Sequence, residues 1–178
     1  IDGEGLDAII ITTSGCGTTI KDYAHMLKGD PAYAQKAARV TALAKDITEY
    51  LASLELPAPK LRTGLSVAYH SACSLQHGQK VTKAPKDLLV KAGFVIREPA
   101  EGHLCCGSAG TYNILQPAIS AKLRDRKVKN IEATGAILVA AGNIGCITQI
   151  ASISRLPVVH TVELLEWAYG GEKPEKLK

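Results

Sequence analysis

Short apolar runs alternate along the chain with longer segments that repeat their apolar residues at helical spacing. The unbroken runs are typical of strands buried on both faces, and they predict five strands over residues 6–12, 65–69, 94–97, 136–140 and 157–159. The segments between them predict helices over residues 17–27, 30–53, 84–92, 117–134, 144–154 and 162–169. This alternation predicts a layered α/β fold in which helices flank a largely parallel sheet.

The chemistry at the helix ends supports these boundaries. Asp30 precedes Pro31, which predicts an N-cap followed by proline at the first helical position. Gly93 predicts the end of the helix that precedes the third strand. The helix over residues 117–134 has a polar face that we interpret as solvated, with a docking patch as the alternative. The charged residues of that face are Lys122, Arg124, Asp125, Arg126, Lys127 and Lys129.

The first and fourth predicted strands are followed by the same pair of residues. Gly15-Cys16 follows one and Gly145-Cys146 follows the other, and a helix is predicted to begin beside each cysteine. We interpret the chain as two related cysteine-bearing repeats, of which the first is truncated. The predicted division is the C-terminal end of a first repeat over 1–56, a second repeat over 60–170 and a tail over 171–178. Since the sequence opens on Ile1, we expect a fragment of a longer protein.

Composition and charge limit the classes of function. Of 178 residues, 46% are hydrophobic and 21% are charged, and a globular chain of this length folds without disulfides. The five cysteines are sparse and odd in number, and no signal segment opens the chain, so we expect a reducing, cytoplasmic location. The net charge of +4 is spread along the chain, so nucleic acid is not an expected partner. Residues 133–154 are uncharged, but their glycines and polar residues predict a strand, a turn and a helix in a soluble chain.

Every cysteine follows a predicted strand. Cys16 follows the first strand and Cys73 the second, Cys105 and Cys106 follow the third, and Cys146 follows the fourth. Because the carboxyl ends of parallel strands share one edge of a sheet, we expect the last four cysteines to converge there. A free cysteine is usually only a small buried hydrophobe, but four at consecutive strand ends favour a shared centre. The helix starts at Cys16 and Cys146 favour thiolate over thiol.

Soft thiolates select zinc or an iron–sulfur cluster. Structural zinc generally uses close Cys-x-x-Cys pairs, and only the adjacent Cys105-Cys106 is close here, so the spacing favours iron–sulfur. His70 precedes Cys73 and His103 precedes Cys105 by a few residues, so either could contact a cluster sulfur or act as a ligand. We favour a supporting or packing role for both histidines. No serine-nucleophile or Walker motif occurs, and we assign no catalytic residue.

Three blocks of sequence around these cysteines resemble a known family. They are YHSACSLQHGQ over 69–79, HLCCGSAGTYN over 103–113 and GNIGCITQ over 142–149. In their order and spacing they are similar to the cysteine-rich CCG-domain family, which includes a cysteine-rich component of heterodisulfide reductase, and within it to the glycolate oxidase iron–sulfur subunits. The family pattern closes on Cys-x-x-Cys, whereas this chain has Gln149 at the last place and Thr19 at the equivalent place after Cys16.

The resemblance implies a 4Fe-4S cluster, because four thiolates suit such a cluster and the fifth cysteine of some relatives is absent. The implied ligands are Cys73, Cys105, Cys106 and Cys146. Cys16 would serve a separate centre whose other ligands lie before residue 1.

The resemblance also implies an electron-transfer role. The chain would relay electrons from flavin-containing glycolate oxidase subunits, which oxidise glycolate to glyoxylate, towards a quinone acceptor at the membrane. We expect the isolated chain to be inactive on glycolate, and to lie in the cytoplasm or peripherally on the inner face of the cell membrane. One alternative is an iron–sulfur subunit for lactate utilisation or anaerobic glycerol-3-phosphate oxidation. Another, from a different class, is a zinc-stabilised interaction module without redox function.

Overall fold

The computed structural model describes residues 3 and 5–178, and it confirms the predicted α/β fold with parallel sheets and flanking helices. The strands are β1 Ile9–Ile11, β2 Ala44–Asp46, β3 Ser66–His70, β4 Val95–Arg97, β5 Leu138–Ala141 and β6 Val158–His160. The helices are α1 Ser14–Lys21, α2 Tyr23–Met26, α3 Ala34–Leu43, α4 Ile47–Ala52, α5 Ala84–Lys91, α6 Tyr112–Leu115, α7 Pro117–Glu132, α8 Ile144–Ala151 and α9 Thr161–Ala168. A π-helical turn, Ser74–Gly78, follows β3, and a 3-10 turn, Glu175–Leu177, lies in the tail.

The larger sheet has four strands in the order β4-β3-β5-β6, and every neighbouring pair is parallel. Strands β1 and β2 form a separate two-stranded parallel sheet. From β3 the chain passes to β4 on one side and then returns to β5 on the other side. A parallel sheet whose strand order reverses in this way opens a crevice at the carboxyl ends of the two diverging strands.

Strands β3 and β5 are buried, and they send alternate residues into two separate cores. Val67 and Leu138 pack into the core that α5 and α9 cover. Ala68 and Val139 pack into the opposite core, which α7 and α8 cover. The cysteines after β4 and β5 are part of this second core or pack against it, so the candidate centre is bounded by apolar side chains on one face of the sheet.

The single long helix predicted over residues 30–53 is wrong. The segment forms α3, then the short strand β2, then α4. Asp30 accepts a hydrogen bond from the backbone N–H of Ala32 at 2.9 Å, but it does so in a turn ahead of α3. Asp46 ends β2 and caps α4 through a capping box with Glu49. A strand of three residues inside a stretch of helix-forming residues is too short to leave a clear periodicity, which is why the pattern predicted one helix.

Two units of the fold meet at the carboxyl ends of their strands. We call β1 to α4 the N-terminal unit and β3 to α9 the C-terminal unit. The backbone N–H of Ser14 donates to the carbonyl of Gly142 at 3.2 Å, and Nε2 of His160 lies 2.7 Å from the carbonyl oxygen of Thr12. The strand-and-helix pair β1-α1 has its counterpart in β5-α8. The exact domain boundaries at residues 56 and 60 stay a prediction.

The uncharged stretch over residues 133–154 contains strand β5 and helix α8 on either side of a turn at Gly142 and Asn143. Among the residues that the structure describes, no helix combines the length and the apolar character needed to cross a bilayer.

Candidate metal centre

Four cysteine side chains lie together beyond the ends of β3 and β5. Sγ of Cys106 is 3.3 Å from Sγ of Cys146. Cys105 interacts through hydrogen bonds with both Cys106 and Cys73, which makes the four sulfurs a connected group. Cys73 is the residue immediately before the π-helical turn, and Cys146 lies in the first turn of α8. The elements that follow the two strands at the switch point therefore each bring a thiol into the crevice.

Interactions among the four cysteines shift their pKa values in opposite directions. Interactions with Cys106 and Cys73 hold the pKa of Cys105 far below its usual range. A hydrogen bond from Cys106 lowers the pKa of Cys146 to about 5, with a smaller contribution from His70. The interaction with Cys105 raises the pKa of Cys106. The interaction between Cys73 and Cys105 likewise raises the pKa of Cys73. A soft metal or cluster bound by the four sulfurs would displace their remaining protons, because the thiolate is the form that acts as a ligand.

The loop after Cys106 depends on a glycine. Gly107 has a φ of +90°, and a β-carbon there would lie 2.4 Å from the carbonyl oxygen of Ser120. Ser120 in turn donates from Oγ to the carbonyl of Gly107 at 2.8 Å. The backbone N–H of Gly107 donates to Sγ of Cys105 at 3.3 Å. This close approach to α7 fixes the direction of the two adjacent cysteines.

His70 joins the thiol group, whereas His103 does not. His70 is the last residue of β3, and only 2% of its surface is exposed. Ligand atoms of His70, Cys106 and Cys146 all lie within 4.8 Å of one another. The side chain of His103 is exposed, and its ring interacts electrostatically with Glu101.

Cys16 lies on the wall of the same crevice. It is exposed, and it lines a cavity of about 500 Å³ together with Cys73, Cys106 and Cys146. Cys16 is the third residue of α1 and Cys146 is the third residue of α8, so the two occupy equivalent places in the two units. Cys16 is expected from the sequence to serve a separate centre, whereas the structure places it beside this one.

Comparison with known proteins agrees with the cysteine pattern. The model of the CCG cysteine-rich domain family matches residues 67–151. The chain is 40% identical over 164 residues to the glycolate oxidase iron–sulfur subunit of Escherichia coli K12, covering 92% of this chain and 40% of that protein. It is 31% identical over 170 residues to lactate utilization protein A of Bacillus thuringiensis, covering 91% of this chain and 71% of that protein. The chain belongs to the CCG cysteine-rich domain family.

A further relative of this CCG protein is the probable glycolate oxidase iron–sulfur subunit of Bacillus subtilis, 33% identical over 175 residues and covering 93% of this chain. The chain spans 40% and 39% of the lengths of the two glycolate oxidase subunits it matches, about two fifths of each.

The CCG motif of this chain ends on Gln149 where the family pattern has a second cysteine. Nε2 of Gln149 donates to Oγ of Ser120 at 2.9 Å, and Oε1 of Gln149 lies 3.5 Å from Nδ2 of Asn113. Ser120 is the residue that holds the carbonyl of Gly107. Gln149 therefore supports the loop of the two adjacent cysteines in this CCG domain.

Lys127 of the CCG domain is buried, which the sequence did not predict. The interpretation of its helix face as solvated is wrong at this residue, because only 1% of Lys127 is exposed. Its Nζ donates to the carbonyl of Glu101 at 2.8 Å, in the loop that leads to Cys105. Burial lowers the pKa of Lys127, while electrostatic interactions with the cysteines of the centre oppose that shift.

Proposed function

We propose that this chain is the cluster-binding part of an iron–sulfur electron-transfer subunit of an oxidoreductase that oxidises glycolate. The observation that carries the proposal is the connected group of four sulfurs with Cys106 Sγ 3.3 Å from Cys146 Sγ. Such a donor set, without carboxylates, selects soft metals or iron–sulfur clusters. We propose a 4Fe-4S cluster as the group, because four thiolates are its usual complement. The proposed ligands are Cys73, Cys105, Cys106 and Cys146.

The residues present fit a group larger than a single ion. Three of the four proposed ligands line the cavity of about 500 Å³, which far exceeds the space that one ion occupies between its ligands. The cysteines lie at the edge of an apolar core, which limits the access of water to a bound cluster. Nε2 of His70 is also buried without a hydrogen-bond partner among the described residues, as expected for a nitrogen that faces a bound group.

Each residue of the centre has a defined task in this proposal. The thiolates hold and orient the cluster, whose chemistry when bound is the transfer of single electrons. Lys127 places a buried positive charge near these anionic ligands. The Gly107 loop fixes the direction of Cys105 and Cys106. We assign no described residue of this chain to the oxidation of substrate, and we expect the isolated chain to be inactive on glycolate.

The proposed partners follow from the named relatives. The electron donor in this proposal is a flavin-containing subunit that oxidises glycolate, and the distant acceptor is a membrane quinone. The glycolate oxidase iron–sulfur subunits of two bacteria support only the coarser assignment to a multi-subunit glycolate oxidase. Lactate is the second candidate substrate, because lactate utilization protein A is matched over 71% of its length. Co-purification with a flavoprotein specific for one of these hydroxy acids decides between them.

Metal analysis of the anaerobically purified chain tests the proposal. We expect iron and acid-labile sulfide in nearly equal amounts. We also expect absorption at about 400 nm, which is typical of thiolate-ligated clusters. Replacement of any one of the four proposed ligands by serine is expected to remove most of the iron. Cys16→Ser is the matched control, since it makes the same atomic change on the same cavity wall and is expected to retain the iron. One zinc per chain without sulfide, or loss of iron from the Cys16 variant alone, contradicts the proposal.

A further inference from the structure

The imidazole of His70 is buried in the centre, next to the sulfurs of Cys106 and Cys146. Its Nε2 has no hydrogen-bond partner within the described residues, although only 2% of the residue is exposed. Buried side-chain nitrogens in folded proteins almost always have a partner, because an unpaired one loses its hydration without compensation. Nε2 is therefore expected to bind a group that occupies the crevice.

The sheet directs His70 at the sulfurs. Residues alternate across β3, so His70 projects to the same face as Ala68, which belongs to the core that contains Cys106 and Cys146. In the register of the sheet His70 lies opposite Ala141 of β5, which belongs to the same core as Cys106 and Cys146. Ligand atoms of His70, Cys106 and Cys146 lie within 4.8 Å of one another, and the ring lowers the pKa of Cys146.

We infer that His70 is a positioning residue that donates a hydrogen bond from Nε2 to a sulfur of the bound cluster. This hydrogen bond raises the reduction potential of the cluster. The inference rests on the proposed function. The donor role follows from the ligand count, because four cysteines already satisfy a 4Fe-4S cluster and leave the imidazole outside the iron coordination. A hydrogen bond to sulfur stabilises the reduced cluster more than the oxidised one, since reduction adds negative charge to the acceptor.

The test compares reduction potentials of the reconstituted chain in redox titrations monitored by electron paramagnetic resonance. His70→Leu removes the donor, and we expect an unchanged iron content with the reduction equilibrium about tenfold less favourable, which is ~59 mV for one electron. His70→Gln restores an N–H at nearly the place of Nε2, and we expect it to recover at least half of the lost potential. His77→Leu is the matched control, because His77 is an exposed histidine in the π-helical turn next to Cys73. We expect it to keep the wild-type potential.

The wild-type chain provides a measurement that does not depend on the folding of a variant. After labelling of histidine with nitrogen-15, electron–nuclear double resonance of the reduced cluster should show a weak nitrogen coupling, as expected through a hydrogen bond. A strong coupling typical of a direct iron–nitrogen bond overturns the inference, as does an unchanged potential in a His70→Leu variant that retains its iron. Absence of iron from the wild-type chain instead contradicts the proposed function, so the two failures are distinguishable.

Discussion

Substitution of Gly107 by alanine places a methyl group where the Cys-Cys-Gly loop touches α7. At a φ of +90° the new β-carbon would lie 2.4 Å from the carbonyl oxygen of Ser120 and 3.1 Å from its Oγ. Alanine in left-handed backbone costs about 1–2 kcal/mol. Forcing a methyl group into close-packed surroundings costs about 1–3 kcal/mol more. We therefore expect Gly107→Ala to lower the free energy of unfolding by about 2–5 kcal/mol.

The same loop offers a control that separates strain from overlap. Gly110 has a φ of +65°, and no atom lies within 4 Å of the position of its β-carbon. Gly110→Ala therefore adds backbone strain without a clash, and we expect a loss of only about 1–2 kcal/mol.

Urea unfolding of the metal-free chain, followed by circular dichroism, measures both changes. With a denaturant slope of about 2 kcal/mol per molar, Gly107→Ala should lower the midpoint by about 1–2.5 M and Gly110→Ala by about 0.5–1 M. Equal midpoints for the two variants would refute the argument that the contact with Ser120 requires glycine. Iron retention after reconstitution adds a second test, because the Gly107 variant should lose iron even in buffer where it remains folded.

Three further substitutions examine the surroundings of the sulfurs. Lys127→Met leaves the carbonyl of Glu101 without its donor, so we expect a loss of about 1–3 kcal/mol in urea unfolding and weaker retention of iron; unchanged values for both would contradict the role of the buried charge. Gln149→Ala removes the hydrogen bond to Ser120, and we expect a loss of about 1 kcal/mol with partial loss of iron on dilution, whereas complete loss would indicate that Gln149 is a ligand. Cys16→Ser should leave the iron content within experimental error of the wild type, and any change in the electron paramagnetic resonance spectrum would place Cys16 at the cluster.

The sequence predicts the strands of the large sheet well, because strands buried on both faces have to be continuously apolar. Leu138–Ala141 is buried throughout and was predicted to within two residues at each end. The topology of parallel strands also led to the expectation that cysteines far apart in sequence converge. Cys106 and Cys146 are forty residues apart, yet their sulfurs are 3.3 Å apart. This prediction does not depend on the spacing of the cysteines in the sequence, because the carboxyl ends of parallel strands share one edge of the sheet.

The contacts that dock the two units and the burial of Lys127 could not be predicted. Asn143 donates to Oγ of Ser14 at 3.0 Å across 129 positions, and nothing in either residue type indicates that pairing. The burial of Lys127 was missed because a lysine on a polar helix face is usually solvated, and only the loop at Glu101 provides its acceptors. The position of Cys16 on the crevice could not be predicted either, because it depends on how the N-terminal unit docks against the C-terminal unit.

Residues of both units line the crevice. Binding of a group in the crevice and docking of the two units are therefore thermodynamically linked. Thr13, Gly15 and Cys16 come from the N-terminal unit, and the remaining wall comes from the C-terminal unit. A ligand that binds only the docked arrangement stabilises it by about 2.7 kcal/mol when its concentration is one hundred times its dissociation constant. Removal of the bound group by a chelator should then release the N-terminal unit, and faster proteolysis between residues 52 and 66 would report that release. The proposed cluster would therefore also stabilise the association of the two units.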